Sequence, residues 1–160
     1  MSSVDVYFSL GSNLGDRAGN IRAALSMMDD VFGVHYSALS GMAETKPWGF
    51  VSDNDFLNCC VLYALERKSE DASLDCLDVL RKCKGIERSL GRTGSSGRER
   101  RSYADRPIDI DILFFGHERI DLPPELIVPH PLIAERDFVT VPLGGIAKED
   151  LKHAFPEIFD

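Results

Sequence analysis

Residues 108–115 read Ile108, Asp109, Ile110, Asp111, Ile112, Leu113, Phe114 and Phe115, and this alternation constrains the fold more than any other stretch of the chain. A period of two puts Ile108, Ile110 and Ile112 on one face of a β-strand and Asp109 and Asp111 on the other. The strand rise separates the two aspartate Cα atoms by about 6–7 Å. The aspartate face continues into Leu113 and Phe115, which places the pair at the margin of a buried surface. Asp is disfavoured in strands, and two ionised carboxylates there repel each other and lose hydration unless a cation compensates. Mg²⁺ suits the position, because it takes one or two protein carboxylates and fills its shell with phosphate oxygens and water. The alternative is a half-exposed strand whose acids face solvent.

The rest of the chain supplies partners for this strand. Val4, Val6 and Phe8 alternate with polar residues in a first strand ending at Leu10. The turn from Gly11 to Gly15 reads as a structural link into a helix capped by Asp16 and stopped by Gly33, with apolar positions Ile21, Ala24, Leu25, Met28, Val31 and Phe32. Residues 34–44 and 56–65 are strand candidates joined by a connection too long for a tight hairpin. Helical spacing of Leu74, Leu77, Leu80, Cys83 and Ile86 predicts a helix over 71–90, broken by Gly91. The order strand, helix, strand, strand, helix, strand is the split βαββαβ arrangement of an α+β, ferredoxin-like sandwich. Short extra elements follow Gly116.

A chain of 160 residues, 44% hydrophobic and 28% charged, is expected to form one globular domain spanning 1–160. Its formal net charge of −8 argues against nucleic acid or an anionic membrane as partner, since both attract basic surfaces. The N-terminus shows neither the basic region nor the apolar stretch of a secretory signal, so a cytoplasmic location is expected. Cys59, Cys60, Cys76 and Cys83 form no C-x-x-C pair and read as core-filling residues.

Beside the aspartates lies a concentration of positive charge. Arg92, Arg98, Arg100, Arg101 and Arg106 face only Glu99 and Asp105 within residues 92–106, around the glycine-bearing stretch 93–97. Guanidinium groups bind phosphate through forked hydrogen bonds. Acid in a strand and arginine in a neighbouring loop together suit a metal–nucleotide complex. No G-x-x-x-x-G-K-[ST] or G-x-G-x-x-G pattern is present, so a P-loop enzyme or Rossmann dehydrogenase is not expected.

Taken together, GSNLGDR at 11–17, Thr45-x-Pro47, the FLN run at 56–58, Arg106-x-x-Asp109-x-Asp111-Ile112-Leu113 and VPHP at 128–131 resemble the 6-hydroxymethyl-7,8-dihydropterin pyrophosphokinases of folate biosynthesis, over residues 7–143. The resemblance implies transfer of the β,γ-diphosphate of ATP, as co-substrate, to the hydroxymethyl oxygen of the pterin, releasing AMP. It implies two Mg²⁺ ions held by Asp109 and Asp111, and catalytic arginines at Arg92 and Arg106. The flat pterin is expected between Phe56 and Phe138, with Asn58, Thr45, Pro47, Trp48 and Tyr103 around it. Glu87, Arg92, Arg101, Arg106, Ile112, His130 and Arg136 match ATP-contacting positions. The partners implied are the two small-molecule substrates, and a monomer is expected. The alternatives are a non-catalytic ligand-binding module of the same fold and a degenerate family member.

The chain departs from the family pattern in places. Ser102, Tyr103, Ala104 and Asp105 replace the residues that precede the signature arginine, which shifts the expected basic contact to Arg101 and puts Tyr103 where many members carry Trp. Lys84, Glu125 and Ile127 stand where Gln, Arg and Thr are common.

Overall fold

Ten residues of alternating side chains, Ser3–Ser12, build the central strand β1, from which both sheet faces are organised. The computed structural model describes residues 2–46, 54–91 and 107–159. Asp16 then starts helix α1 (Arg17–Phe32), its carboxylate accepting from Gly19 N–H at 3.1 Å. Gly33 ends the helix with φ 72° and returns its N–H to Asp29 O at 2.9 Å, a left-handed cap that favours glycine.

Two short strands, β2 (Ala38–Leu39) and β3 (Ala43–Thr45), precede the long β4 (Phe56–Glu66). Helix α2 (Ala72–Gly91) and strand β5 (Asp109–Phe115) complete the expected βαββαβ frame. The sheet runs β2–β4–β1–β5, every pair antiparallel, and β3 extends along β4 beyond β2. This is the ferredoxin-like α+β order expected from the sequence.

Each face of the sheet has its own core. Val6, Phe8, Leu10, Val61 and Tyr63 meet Ile21, Met28, Val79 and Ile86 of α1 and α2. On the other face Tyr7, Cys60, Leu62 and Phe114 meet the elements after Gly116. These are a 3₁₀ turn (Ile133–Glu135), α3 (Asp137–Gly144), α4 (Glu149–Ala154) and α5 (Pro156–Phe159). A separate hairpin, β6 (Ile120–Leu122) and β7 (Leu126–Val128), leads into them. All four cysteines are free and buried, as their spacing predicts, and burial pushes the Cys59, Cys60 and Cys76 thiols up to about 12.

Three local expectations need correcting. Residues 34–44 are not one strand: Ser40 donates its N–H to Cys60 O but offers its hydroxyl, not its carbonyl, to Cys60 N–H at 2.8 Å. A side chain that substitutes for the backbone breaks the ladder there. Phe115 does not share the aspartate face. Phe8 pairs with Ile112 and Tyr7 with Phe114, so Leu113 is an inserted residue that reverses the alternation. Leu113 and Phe114 both reach the C-terminal core, while Phe115 joins the α1 and α2 side. Val31 and Leu74 lie off the buried helix stripes, 42% and 57% exposed.

Candidate functional site

The end of β1 and the beginnings of β4 and β5 meet at one margin of the sheet. Gly11 is the register partner of Asn58 on one side and of Asp109 on the other. One step along, Ser9 lies between Cys60 and Asp111. Adjacent strands are about 4.8 Å apart, which puts the Asn58 and Asp109 backbones about 10 Å apart across Gly11. The row is extended by β3, where Ala43 pairs with Asn58 and Thr45 with Phe56.

Asn58 is buried, and its Nδ2 donates to Thr45 Oγ1 at 2.8 Å, the partner that a buried amide requires. Its Oδ1 leans over β1: a Cβ on residue 11 would stand 2.7 Å from that oxygen and 3.4 Å from the Phe56 ring. Only glycine leaves that space open. Phe56 and Thr45 flank the amide, both half-buried.

The start of α3 overhangs this surface. The Cys60 thiol donates to Val139 O at 3.7 Å, seating α3 on β4. Phe138, in the first turn, is half-buried with the Arg136 guanidinium 5.6 Å above its ring. Arg136 Nη1 also lies 3.8 Å from Asp111 Oδ2, so the cation bridges the aromatic and acidic parts of the site.

His130 runs beside β5, donating its backbone N–H to Leu113 O at 3.0 Å. Its Nδ1 accepts from Leu132 N–H at 3.2 Å, which puts the ring proton on Nε2. Burial, and then the charge of Arg136, lowers its pKa from 6.5 to about 4. It is therefore a neutral donor at physiological pH. Glu87, from α2, accepts from Ile110 N–H of the edge strand at 2.7 Å, so this carboxylate holds β5 in place. The Ile112 side chain is buried on the α1 and α2 face, away from the aspartates. Lys84, Glu125 and Ile127 are exposed.

The donor set fits a hard divalent ion. Asp109 and Asp111 are half-buried carboxylates on one strand face, and among the described residues no three His, Cys, Asp or Glu side chains gather into a cage. Two protein oxygens with the remainder left to phosphate and water is how Mg²⁺ is usually bound; a closed structural zinc site would need four protein ligands. Pro47, Trp48, Arg92, Arg98, Arg100, Arg101, Tyr103 and Arg106 lie outside the described residues.

Asn13, read as part of a structural turn, and Arg17, read within the helix that follows it, do more than connect. Asn13 Nδ2 donates to Asn54 O at 3.3 Å, and Arg17 Nη1 to Asp55 O at 3.0 Å, while Arg17 Nη2 pairs with Glu44. The signal was present in GSNLGDR, where an amide in the turn and a guanidinium at the start of the helix stand where neither element requires them.

The described residues thus set an anionic pair across a glycine floor from a buried amide, with aromatic and cationic cover above. Residues 7–148 match the family described as 7,8-dihydro-6-hydroxymethylpterin-pyrophosphokinase, and the chain belongs to that family. A 2-amino-4-hydroxy-6-hydroxymethyldihydropteridine pyrophosphokinase of Porphyromonas gingivalis is 45% identical over 142 residues, 89% of this chain and 90% of that protein. The Bacillus subtilis protein of the same name is 38% identical over 148 residues, 92% of this chain and 81% of its own length. A folate synthesis bifunctional protein of Arabidopsis thaliana is 37% identical over 139 residues, which are 26% of its length. Among the described residues, no helix is long and apolar enough to cross a membrane.

Proposed function

We propose that this chain transfers the β,γ-diphosphate of ATP to the hydroxymethyl group of 6-hydroxymethyl-7,8-dihydropterin. The pterin oxygen forms a bond to the β-phosphorus, the bond from that phosphorus to the α,β-bridging oxygen breaks, and AMP departs with the electron pair. The hydroxyl proton passes to water. One observation carries the reading: the register places Asn58, Gly11 and Asp109 in one row, so a ring read by the amide presents its substituent towards the carboxylates.

In this reading Asn58 and Thr45 address the amide-like edge of the pterin, and Phe56 and Phe138 supply stacking surface. Asp109 and Asp111 would hold Mg²⁺, two ions with the nucleotide, which lowers the charge at the phosphates and aligns them. Arg136, beside Asp111, adds positive charge at the phosphate end. His130 offers a neutral Nε2–H to nucleotide oxygen or nitrogen. Glu87 acts through β5, keeping the aspartates in register. Arg92 and Arg106 as catalytic arginines, Arg101 at the phosphates, and Pro47, Trp48 and Tyr103 at the pterin complete the assignment. The protein is a cytoplasmic monomer in this view, with no nucleic-acid or membrane partner.

The test is AMP release by the purified chain. AMP should form only when the pterin alcohol, ATP and Mg²⁺ are all present, and stop on chelation. AMP formation without the pterin, or pterin turnover undiminished by a chelator, would overturn it.

A further inference from the structure

We infer that Arg17 is a positioning residue for the pterin end of the site, fastening both ends of the 46–55 connection at once. The inference rests on the function proposed above. Arg17 is the first residue of α1, and its guanidinium divides between β3 and the residue before β4: Nη1 donates to the Asp55 carbonyl at 3.0 Å and Nη2 pairs with the Glu44 carboxylate. Asp55 immediately precedes Phe56, and Glu44 immediately precedes Thr45. Phe56 and Thr45 are themselves register partners. One side chain therefore grips the backbone next to the stacking ring and the side chain next to the hydroxyl that holds Asn58.

Why the fold needs such a clamp follows from the sheet. Only three residues form β3, and among the described residues it pairs with β4 alone. Few ladder bonds fix its end. Asn13, in the β1–α1 turn, adds a bond to Asn54. A planar fork can satisfy two acceptors in different directions, which a lysine ammonium on a flexible stem does with less definition. The ion pair is half-exposed, with side-chain exposures of 31% for Arg17 and 59% for Glu44, so its net contribution to global stability is small. Its effect is local geometry.

The experiment compares the full-length chain with Arg17→Met, Arg17→Lys and Glu44→Gln by steady-state AMP release and by calorimetric binding of the pterin alcohol without nucleotide. Loss of charge-assisted bonds at both ends should raise the pterin KM and Kd of Arg17→Met by about tenfold. The KM for Mg–ATP should stay within about twofold, since the phosphate side of the site is untouched. Arg17→Lys should recover part of the loss, Glu44→Gln should show a smaller one, and the thermal midpoints should be nearly unchanged. Equal rises in both KM values, a fall in kcat alone, or pterin affinity unchanged in both Arg17→Met and Glu44→Gln would overturn the inference. A wild-type chain that binds the pterin but releases no AMP would sink the proposed reaction, while the binding series would still decide the role of Arg17.

Discussion

Asn58 Oδ1 lies 2.7 Å from the point where a Cβ on Gly11 would stand, so the buried amide and the absent side chain are fitted to each other across two strands. Gly11→Ala should push the Asn58 amide away from Thr45 Oγ1 and break their 2.8 Å bond. The expected cost is about 1–2 kcal/mol of stability, the range for overpacking and a lost buried hydrogen bond. Urea unfolding measures that cost, and calorimetry should show weaker pterin binding with nucleotide affinity preserved.

Asp109→Ala and Asp111→Ala remove the carboxylates assigned to the metal. Turnover should fall by about a thousandfold or more, as several kcal/mol of electrostatic stabilisation disappear. Melting curves should show a folded protein, because both side chains lie at the sheet margin outside the two apolar cores. AMP release close to wild type in either variant would remove that residue from the chemistry.

His130 makes stability depend on pH with a definite sign. Burial and Arg136 lower its pKa from 6.5 to about 4, so within that window the unfolded chain binds a proton that the folded chain refuses. The stabilisation is present above the unfolded value and is lost as pH falls towards the folded one. His130→Asn, which keeps an acceptor for Leu132 N–H but cannot titrate, should show a flatter decline. Urea midpoints for both proteins at about pH 7 and about pH 5 check this, and parallel slopes would contradict it.

Asp75 latches the β4–α2 connection, accepting from Arg67 Nε at 2.7 Å, Lys68 N–H at 3.0 Å and Ser69 N–H at 3.3 Å. Burial pushes its carboxyl up, but these bonds outweigh that and hold it below its ordinary value of 3.8. Asp75→Asn should cost about 2 kcal/mol at neutral pH, the worth of hydrogen bonds to a charged group. For a depressed carboxyl the stabilisation is full above the unfolded pKa and is lost as pH falls through the folded one. The gap between wild type and Asp75→Asn in urea should therefore close in acid.

The order of the main elements was legible because it rests on local period. Alternation marks β1 and the Ile108–Phe115 strand, three-and-four spacing marks both helices, and Asp16 and Gly33 mark the ends of α1. The 34–44 break was hidden because it depends on Ser40 meeting Cys60, a contact between strands. The inserted Leu113 was hidden for the same reason, since a bulge exists only relative to a partner strand. Within the site, the same-face relation of Asp109 and Asp111 follows from strand geometry, while the roles of Phe56, Asn58 and Phe138 came through family resemblance.

Sequence alone determined which residues alternate, where α1 begins and ends, and that paired acids share one strand face, because each depends on neighbours within a few positions. Tertiary structure decided that Gly11 stands between Asn58 and Asp109, that Arg17 joins Glu44 to Asp55, and that Arg136 lies over Phe138 and beside Asp111. Such relations depend on strand register and on the docking of α3. Register is a property of two segments brought together, and no single segment contains it.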